Sequence, residues 1–313
     1  MYLREIIVIA VFIVFWLTVF CLEARYIYCF FKNKIPPVSG LAVVIHILVI
    51  LCITSFLYGH FIEPYRLDLQ YINIITDKFK NTGLTVIQIS DLHCDKRIGN
   101  ERKLSTIINE IHPDIIVFTG DTINTPRALP LFKKTMSQLK AKMGKYAVKG
   151  NVDVWYWKGM DLFGGTGFIE LNGRTESLSK NSEKFTISGL SIKGYRRNLS
   201  FLSGLPQGSY NILLFHYPGI NEEIGKNEVD LFLSGHTHGG QLALPFYGAL
   251  ITFSEYGKKY ESGRYDLDGK VLYVNRGIGM DKGFVPKIRF LSRPEITVFH
   301  ILPDKKFTPL ENH

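Results

Sequence analysis

The sequence predicts an α/β domain behind a pair of apolar helices. Two uncharged, apolar stretches fall within residues 1–62, and the rest of the chain alternates short apolar runs with amphipathic segments at helical spacing. Several of the apolar runs end in a residue able to bind a metal, and in open α/β sheets ligands gather beyond the carboxyl ends of the strands.

The apolar stretches are Ile6 to Leu22, which holds no charged residue, and Leu41 to Tyr58, which holds only His46 and a few hydroxyls. Both lengths suit a bilayer crossing. No small-x-small cleavage site follows the first, and helices buried in a soluble core would carry polar faces that these lack. The expectation is a transmembrane hairpin over residues 1–62 and a soluble domain over residues 63–313. Tyr26, Tyr28, Lys32, Lys34 and Pro36-Pro37 would form the interfacial turn. Such a chain sits in a cell membrane as a two-span protein, its domain at the bilayer surface, with Met1 and His313 on one side. Arg25, Lys32 and Lys34 in the link balance Arg4, Arg66, Lys78 and Lys80 outside it, so the positive-inside rule leaves that side open.

From Tyr65 onward the elements can be taken in order. Arg66 to Tyr71 alternates like an edge strand, and Thr85 to Ser90 is a stronger strand running into Asp91-Leu92-His93. Leu104, Ile107, Ile108 and Ile111 recur at helical spacing, with Asn100 as the cap and Pro113 beyond the end. Ile115 to Phe118 is a buried strand ending at Gly120-Asp121. A second amphipathic segment, with Phe132, Met136, Leu139 and Met143 on one face, leads to Tyr146-Ala147-Val148 and then Gly150-Asn151-Val152-Asp153.

Trp155 to Gly173 breaks this rhythm with aromatics and glycines, as an excursion over a site would. Its Trp155, Tyr156, Trp157, Phe163 and Phe168 suit either contact with an acyl chain or burial against the domain. Phe185 to Gly189 and Asn211 to Phe215 are further strands, the latter delivering His216. Leu231 to Leu233 delivers Gly235-His236-Thr237-His238-Gly239-Gly240-Gln241, and Lys270 to Val274 and Glu295 to Leu302 close the domain.

The net charge is +9, of which +7 lies outside the apolar region. A basic domain suits an anionic membrane surface or a phosphorylated substrate. No basic run with interleaved aromatics is present, so nucleic acid is not an expected partner. Cys94 is the only cysteine of the soluble part, which excludes a disulfide framework there.

Gathered together, the strand-end residues are Asp91, His93, Asp121, Asn151, His216, His236 and His238. Carboxylate, imidazole and amide donors in one place suit divalent manganese, iron or zinc, and a shared carboxylate can bridge two such ions. The order D-x-H, G-D, G-N, a lone H and then G-H-x-H resembles the calcineurin-like metallophosphoesterases. The resemblance implies a four-layer α-β-β-α sandwich and two divalent metal ions at one edge. It implies Asp91, His93, Asp121 and His238 around one ion and Asp121, Asn151, His216 and His236 around the other. Asp121 would bridge, and Asp121, Asn151 and His216 would be its catalytic members. Histidine ligands need oriented partners, and Thr237 and Asp95 lie close in sequence with roles that only coordinates can assign.

One position departs from the family pattern. Where it most often has G-N-H-D or G-N-H-E, this chain has Val152, which can neither protonate a leaving oxygen nor bind phosphate. The UDP-2,3-diacylglucosamine pyrophosphatases of lipid A synthesis resemble this chain in tolerating other residues there. Their leaving group is a phosphate, which departs with little help from an acid. A lipid-linked diphosphate is therefore the expected substrate. The alternatives are a phosphodiesterase acting on phospholipid or nucleotide substrates, and a metal-dependent binding protein with little turnover.

Overall fold

The computed structural model describes residues 3–32, 34, 40–96, 99–193, 199–225, 228–267, 269–281 and 287–304. Pro36 and Pro37 of the expected turn, and both chain ends, lie outside them. The apolar stretches form α1 (Leu3–Phe31) and α2 (Gly40–Phe61), each long and apolar enough to cross a membrane. They pack on each other. The ring of Tyr26 meets His46 edge-on at 4.9 Å, and His46 Nδ1 lies 2.6 Å from Glu23 Oε2. Most of their remaining surface is exposed Val, Leu, Ile and Phe with no protein cover.

Two six-stranded sheets make up the domain. The first contains β1 (Asp68–Thr76), β2 (Leu84–Ile89), β3 (Ile115–Phe118), β4 (Gly144–Ala147), β5 (Phe168–Glu170) and, inserted between β1 and β2, β14 (Glu295–Pro303). The second contains β6 (Arg174–Lys180), β7 (Glu183–Gly189), β8 (Tyr210–Leu214), β9 (Leu231–Ser234), β12 (Gly263–Leu267) and β13 (Lys270–Val274), with β6 and β12 as antiparallel edges. A two-stranded hairpin, β10 (Ala243–Leu244) and β11 (Gly248–Ala249), stands apart.

The sheets pack face to face. Val86, Val117 and Tyr146 of the first meet Ile187, Ile212, Leu233 and Tyr273 of the second in one buried core. Strands buried on both faces need no alternation, which is why β3 and β9 read as apolar runs and β2 and β8 as apolar runs broken only by Thr85, Gln88 and Asn211. Helices α3 (Glu101–Ile111) and α4 (Leu129–Ser137) cover the outer face of the first sheet through Leu104, Ile108, Phe132 and Met136. The outer face of the second is covered by Leu202, Ile220, Ile224 and Tyr260, borne on short turns and on the one-turn α6 (Asn221–Ile224). The result is a four-layer α-β-β-α sandwich whose fourth layer, among the described residues, is made of short helical turns.

Some local expectations change. Asn100 occupies the N-cap position, but its side chain makes no cap; its Nδ2 donates to Pro64 O at 2.7 Å and ties α3 to the exit of α2. Helix α4 ends at Ser137, so Leu139 is buried from a turn, and Met143 packs into the inter-sheet core instead. The excursion after Asn151 is part helix and part strand, α5 (Asn151–Tyr156) and β5. Phe163 belongs to a buried aromatic cluster with Phe118 and Phe132, and Phe168 is also in the core, while Trp155 and Tyr156 are exposed.

Glu183, at the start of β7, joins the two sheets at the end remote from the seven strand-end residues. Its Oε1 accepts from the backbone N–H of Lys80, Asn81 and Thr82 at 2.9, 2.6 and 3.3 Å. Burial alone would raise its pKa, but these donors outweigh that and hold the carboxyl below its ordinary range. Glu183→Ala is expected to cost on the order of 1–3 kcal/mol at neutral pH. A depressed folded pKa contributes stability above the unfolded value of about 4.3 and loses it as pH falls through the folded one. The gap in thermal midpoint between parent and variant should therefore close in acid; a constant gap across the titration would disprove the carboxylate's role.

Candidate metal centre

Five parallel strands deliver the seven residues to one end of the sandwich. Asp91 and His93 follow β2, Asp121 follows β3, and Asn151 opens α5 just after β4. His216 follows β8, and His236 and His238 follow β9. Five of the seven, Asp91, His93, Asp121, His236 and His238, have φ between 40° and 75°. Left-handed backbone at so many non-glycine residues is costly and concentrates where surrounding structure enforces it for function. Glycine is required beside them: a Cβ on Gly150 would stand 2.0 Å from Asp121 Oδ1, and one on Gly235 would stand 2.1 Å from Ser90 Oγ.

The side chains converge in two groups. Asp91, His93 and His238 form one, and Asp91, Asp121 and His216 the other. Asp121 Oδ2 stands between His93 Nε2 at 3.6 Å and His216 Nε2 at 3.3 Å, and so faces both. Asp91 also reaches both, lying 3.4 Å from His238 Nε2 and 3.9 Å from His216 Nε2. Asn151 Oδ1 is 3.0 Å from His216 Nε2. The rings of His216 and His236 are 5.1 Å apart, which brings the seventh residue alongside.

Several of these contacts place two potential ligand atoms about 3 Å apart. His216 Nδ1 donates to Thr119 O at 2.7 Å, which turns its Nε2 toward Asn151 Oδ1 at 3.0 Å. His93 Nε2 and His238 Nε2 lie 3.2 Å apart, with His93 Nδ1 donating to Asn124 Oδ1 at 3.1 Å and His238 Nδ1 accepting from Arg289 Nη2 at 3.2 Å. Ligands held about 2.0–2.1 Å from a shared ion lie roughly this far apart. The donor set therefore fits divalent cations.

The electrostatics agree. Burial works against a charged His216, yet Asp121 and Asp91 overcome it and push its pKa up to about 9. Burial and then the His216 charge bring His236 down to about 3; burial, with His93 and the Arg289 guanidinium, also lowers His238. Burial would raise Asp121, but His216 and His93 hold it at about 2. The site thus combines a buried carboxylate that demands positive charge with two imidazoles, His236 and His238, that burial keeps neutral.

Three supporting residues take their roles only from the folded structure. Asp153 accepts from the N–H of Gly150 and of Asp121, both at 2.9 Å, and from Thr122 N at 2.9 Å and Thr122 Oγ1 at 2.6 Å. It clamps the loops carrying Asp121 and Asn151 together, and its place three residues after Gly150 was the available signal. Asn124 orients His93, accepting from its ring and donating to its carbonyl at 2.9 Å. Arg289 is fully buried, with Nη2 at 3.2 Å from His238 Nδ1 and further bonds to the carbonyls of Arg276, Gly277, Gly279 and Ser292. Nothing in its local sequence marks it. Of the two residues nearby in sequence, Thr237 Oγ1 donates to Glu261 O at 2.5 Å, and Asp95 pairs with Lys287 and accepts from Asn124 Nδ2 at 3.4 Å.

A cavity of about 830 Å³ opens off this centre. Asp121, Asn151, His236 and His238 line its floor, and Val152, Trp155, Tyr156, Phe215, Ile220 and Phe253 are among the apolar residues of its walls.

The sequence profile of the calcineurin-like phosphoesterases matches residues 84–240, the part that holds all seven residues. The chain belongs to this family of metal-dependent phosphoester hydrolases. It is 36% identical over 260 residues to the uncharacterized metallophosphoesterase YkuE of Bacillus subtilis (strain 168), covering 77% of this chain and 88% of that one. It is 27% identical over 315 residues to the UDP-2,3-diacylglucosamine pyrophosphatase LpxG of Chlamydia trachomatis, covering 80% of this chain and 94% of that one. A Danio rerio protein named as a transmembrane protein with a metallophosphoesterase domain is 25% identical over 246 residues, covering 69% of this chain and 52% of that one.

Asp153→Asn keeps the shape of the side chain but replaces one accepting oxygen with a donor amide, leaving buried N–H groups without partners. The expected loss is on the order of 1–3 kcal/mol in unfolding free energy, together with reduced metal content of the folded protein. Thermal unfolding and metal analysis on the same preparation check both; normal metal retention would disprove the clamp.

Proposed function

We propose that this chain is a membrane-anchored phosphohydrolase that holds two divalent metal ions and cleaves the diphosphate of a lipid-linked nucleotide sugar, such as UDP-2,3-diacylglucosamine. In this assignment residues 1–62 are the anchor and residues 63–313 the catalytic domain. The observation that carries it is the cavity, where a wall of Trp155, Tyr156, Phe215, Ile220 and Phe253 begins directly beside the metal-binding residues. A substrate with both a phosphoryl group and an acyl chain matches both surfaces. The two apolar helices and the likeness to LpxG support the same substrate class.

Asp91, His93, Asp121 and His238 would hold one cation, and Asp121, Asn151, His216 and His236 the other. Manganese, iron and zinc all suit these nitrogen and oxygen donors. Bound there, the cations supply Lewis acidity to the phosphoryl oxygens and lower the pKa of a water. The chain's own part is positional. Val152 N donates to Asp121 Oδ1 at 2.9 Å, fixing the carboxylate that faces both groups. Thr119 O fixes the His216 ring, and Phe253 O, 3.3 Å from His236 Nε2, leaves the other ring nitrogen for the centre. The valine side chain lines the cavity and brings no proton.

Two measurements test this. Asp121→Asn should lose metal and turnover together, and two metals per chain with near-normal hydrolysis would refute the bridging role. A leaving-group series tests the substrate. General acid catalysis is worth about 10²–10⁴-fold, so alkyl phosphodiesters should be cleaved more slowly than a UDP-linked lipid by at least that order. Val152→His should accelerate the alkyl substrates selectively. A flat series for the parent enzyme sinks the diphosphate assignment, and no turnover with metals bound favours a binding protein.

A further inference from the structure

Left-handed backbone at non-glycine residues falls in two main places. One is the metal centre. The other is a set of three large apolar residues, Phe246, Phe253 and Leu291, with φ of 63°, 53° and 55°. All three are exposed: Phe246 wholly, Phe253 by 62% and Leu291 by 51%. Phe246 is the most telling. Leu244-Pro245-Phe246-Tyr247 is a tight turn closed by Tyr247 N to Leu244 O at 3.3 Å, with proline at its second position and positive φ at its third. That is the type II pattern, whose third position normally takes glycine or asparagine. A phenylalanine there costs about 1–2 kcal/mol of backbone strain and, being exposed, recovers nothing by burial within the chain.

The turn is held rigidly. Lys258 Nζ donates to Tyr247 O and Ala249 O, both at 2.8 Å, and stands 4.1 Å over the Tyr247 ring. Glu261 Oε2 accepts from Ala249 N at 2.9 Å. Phe246 is therefore presented on a braced hairpin.

The surroundings indicate what meets it. Phe290 exchanges backbone bonds with the chain entering the hairpin, Ala243 N to Phe290 O at 2.9 Å and Phe290 N to Gln241 O at 2.8 Å. Its ring meets Tyr58 of α2 edge-on at 6.3 Å, and Arg289 N donates to Gly59 O at 2.9 Å. The last residues of α2 and those after it, Phe61, Ile62 and Tyr65, are exposed as well. An apolar rim thus runs from the exit of the anchor helix through Leu291 to the hairpin. Phe253, four residues past β11, brings the rim to the wall of the cavity.

We infer that this rim, Phe246, Leu291 and Phe253, is seated in the interfacial layer of the bilayer, so that the cavity opens to lipid and receives its substrate laterally from the leaflet. Aromatic and aliphatic side chains gathered beside a membrane span partition into this layer, typically about 5–10 Å deep. The inference rests on the membrane anchoring proposed above.

The test uses the full-length protein, with its four cysteines replaced by alanine, reconstituted in phosphatidylcholine vesicles. An environment-sensitive fluorophore is attached at Phe246→Cys, at Leu291→Cys as a second rim position, or at Ser182→Cys in the exposed turn between β6 and β7. Hydrolysis of a soluble bis-aryl phosphodiester confirms that each labelled chain is folded. Doxyl-labelled lipid should quench the rim labels by about half and leave Ser182→Cys unaffected, as expected for side chains at interfacial depth. Chains that float with the vesicles but show unquenched rim labels, or equal quenching at all three positions, overturn the rim and leave the anchor standing. Chains that do not float with the vesicles overturn both.

Discussion

The whole domain is arranged around a buried demand for positive charge. Asp91 and Asp121 are almost fully removed from water and face the same few ångströms of space. Two carboxylates so placed cannot both stay ionised without cations beside them. Every element nearby answers that demand. Backbone N–H groups of His236 and Val152 point at the two carboxylates, and His216 is driven toward its protonated form. Gln88 bridges the sheets beneath, its Nε2 donating to Thr119 Oγ1 at 3.0 Å and to Ser234 O at 2.8 Å. The strained backbone at five of the seven site residues is sustained by this packing and by the strands that end there.

The layering and the site differed in how much of them could be read in advance. Strands buried on both faces announce themselves as apolar runs, so β2, β3, β8, β9, β13 and β14 were all anticipated near their observed bounds. Edge strands were harder. β6, Arg174–Lys180, carries polar residues on both faces, and β12 and the β10–β11 hairpin are short and partly exposed, so no periodicity marked them. Met143 was misassigned because one apolar residue a turn beyond a helix looks like its continuation.

At the site, the seven metal-binding candidates were visible because each sits where an apolar run stops, beside a glycine or in a short repeated pattern. Supporting groups such as Arg289 and Asn124 act across long sequence separations. They reach the histidines only through tertiary contact, so a single sequence carries little trace of them. Asp153 is intermediate: its identity fitted the motif, while its four accepted hydrogen bonds appear only once the Asp121 and Asn151 loops are brought together. Among the aromatics after Asn151, burial divided the set by distance from the first sheet, with Phe163 and Phe168 inside and Trp155 and Tyr156 at the cavity.

The junction at the end of α2 has a consequence for where the polypeptide can be cut. Gly59 O accepts from Arg289 N, His60 Nδ1 lies 3.0 Å from Lys287 O, and Glu63 Oε1 accepts from Ser292 N at 2.6 Å. Ser292 Oγ in turn donates to His238 O at 2.6 Å, and Arg289 touches the ring of the same histidine. The final turn of the apolar helix is therefore masonry of the α/β domain as well as the end of α2. A soluble fragment begun at the first strand would leave buried N–H groups at Arg289 and Ser292 without acceptors. One begun ahead of Gly59 would keep them, at the cost of carrying a short greasy tail into solution.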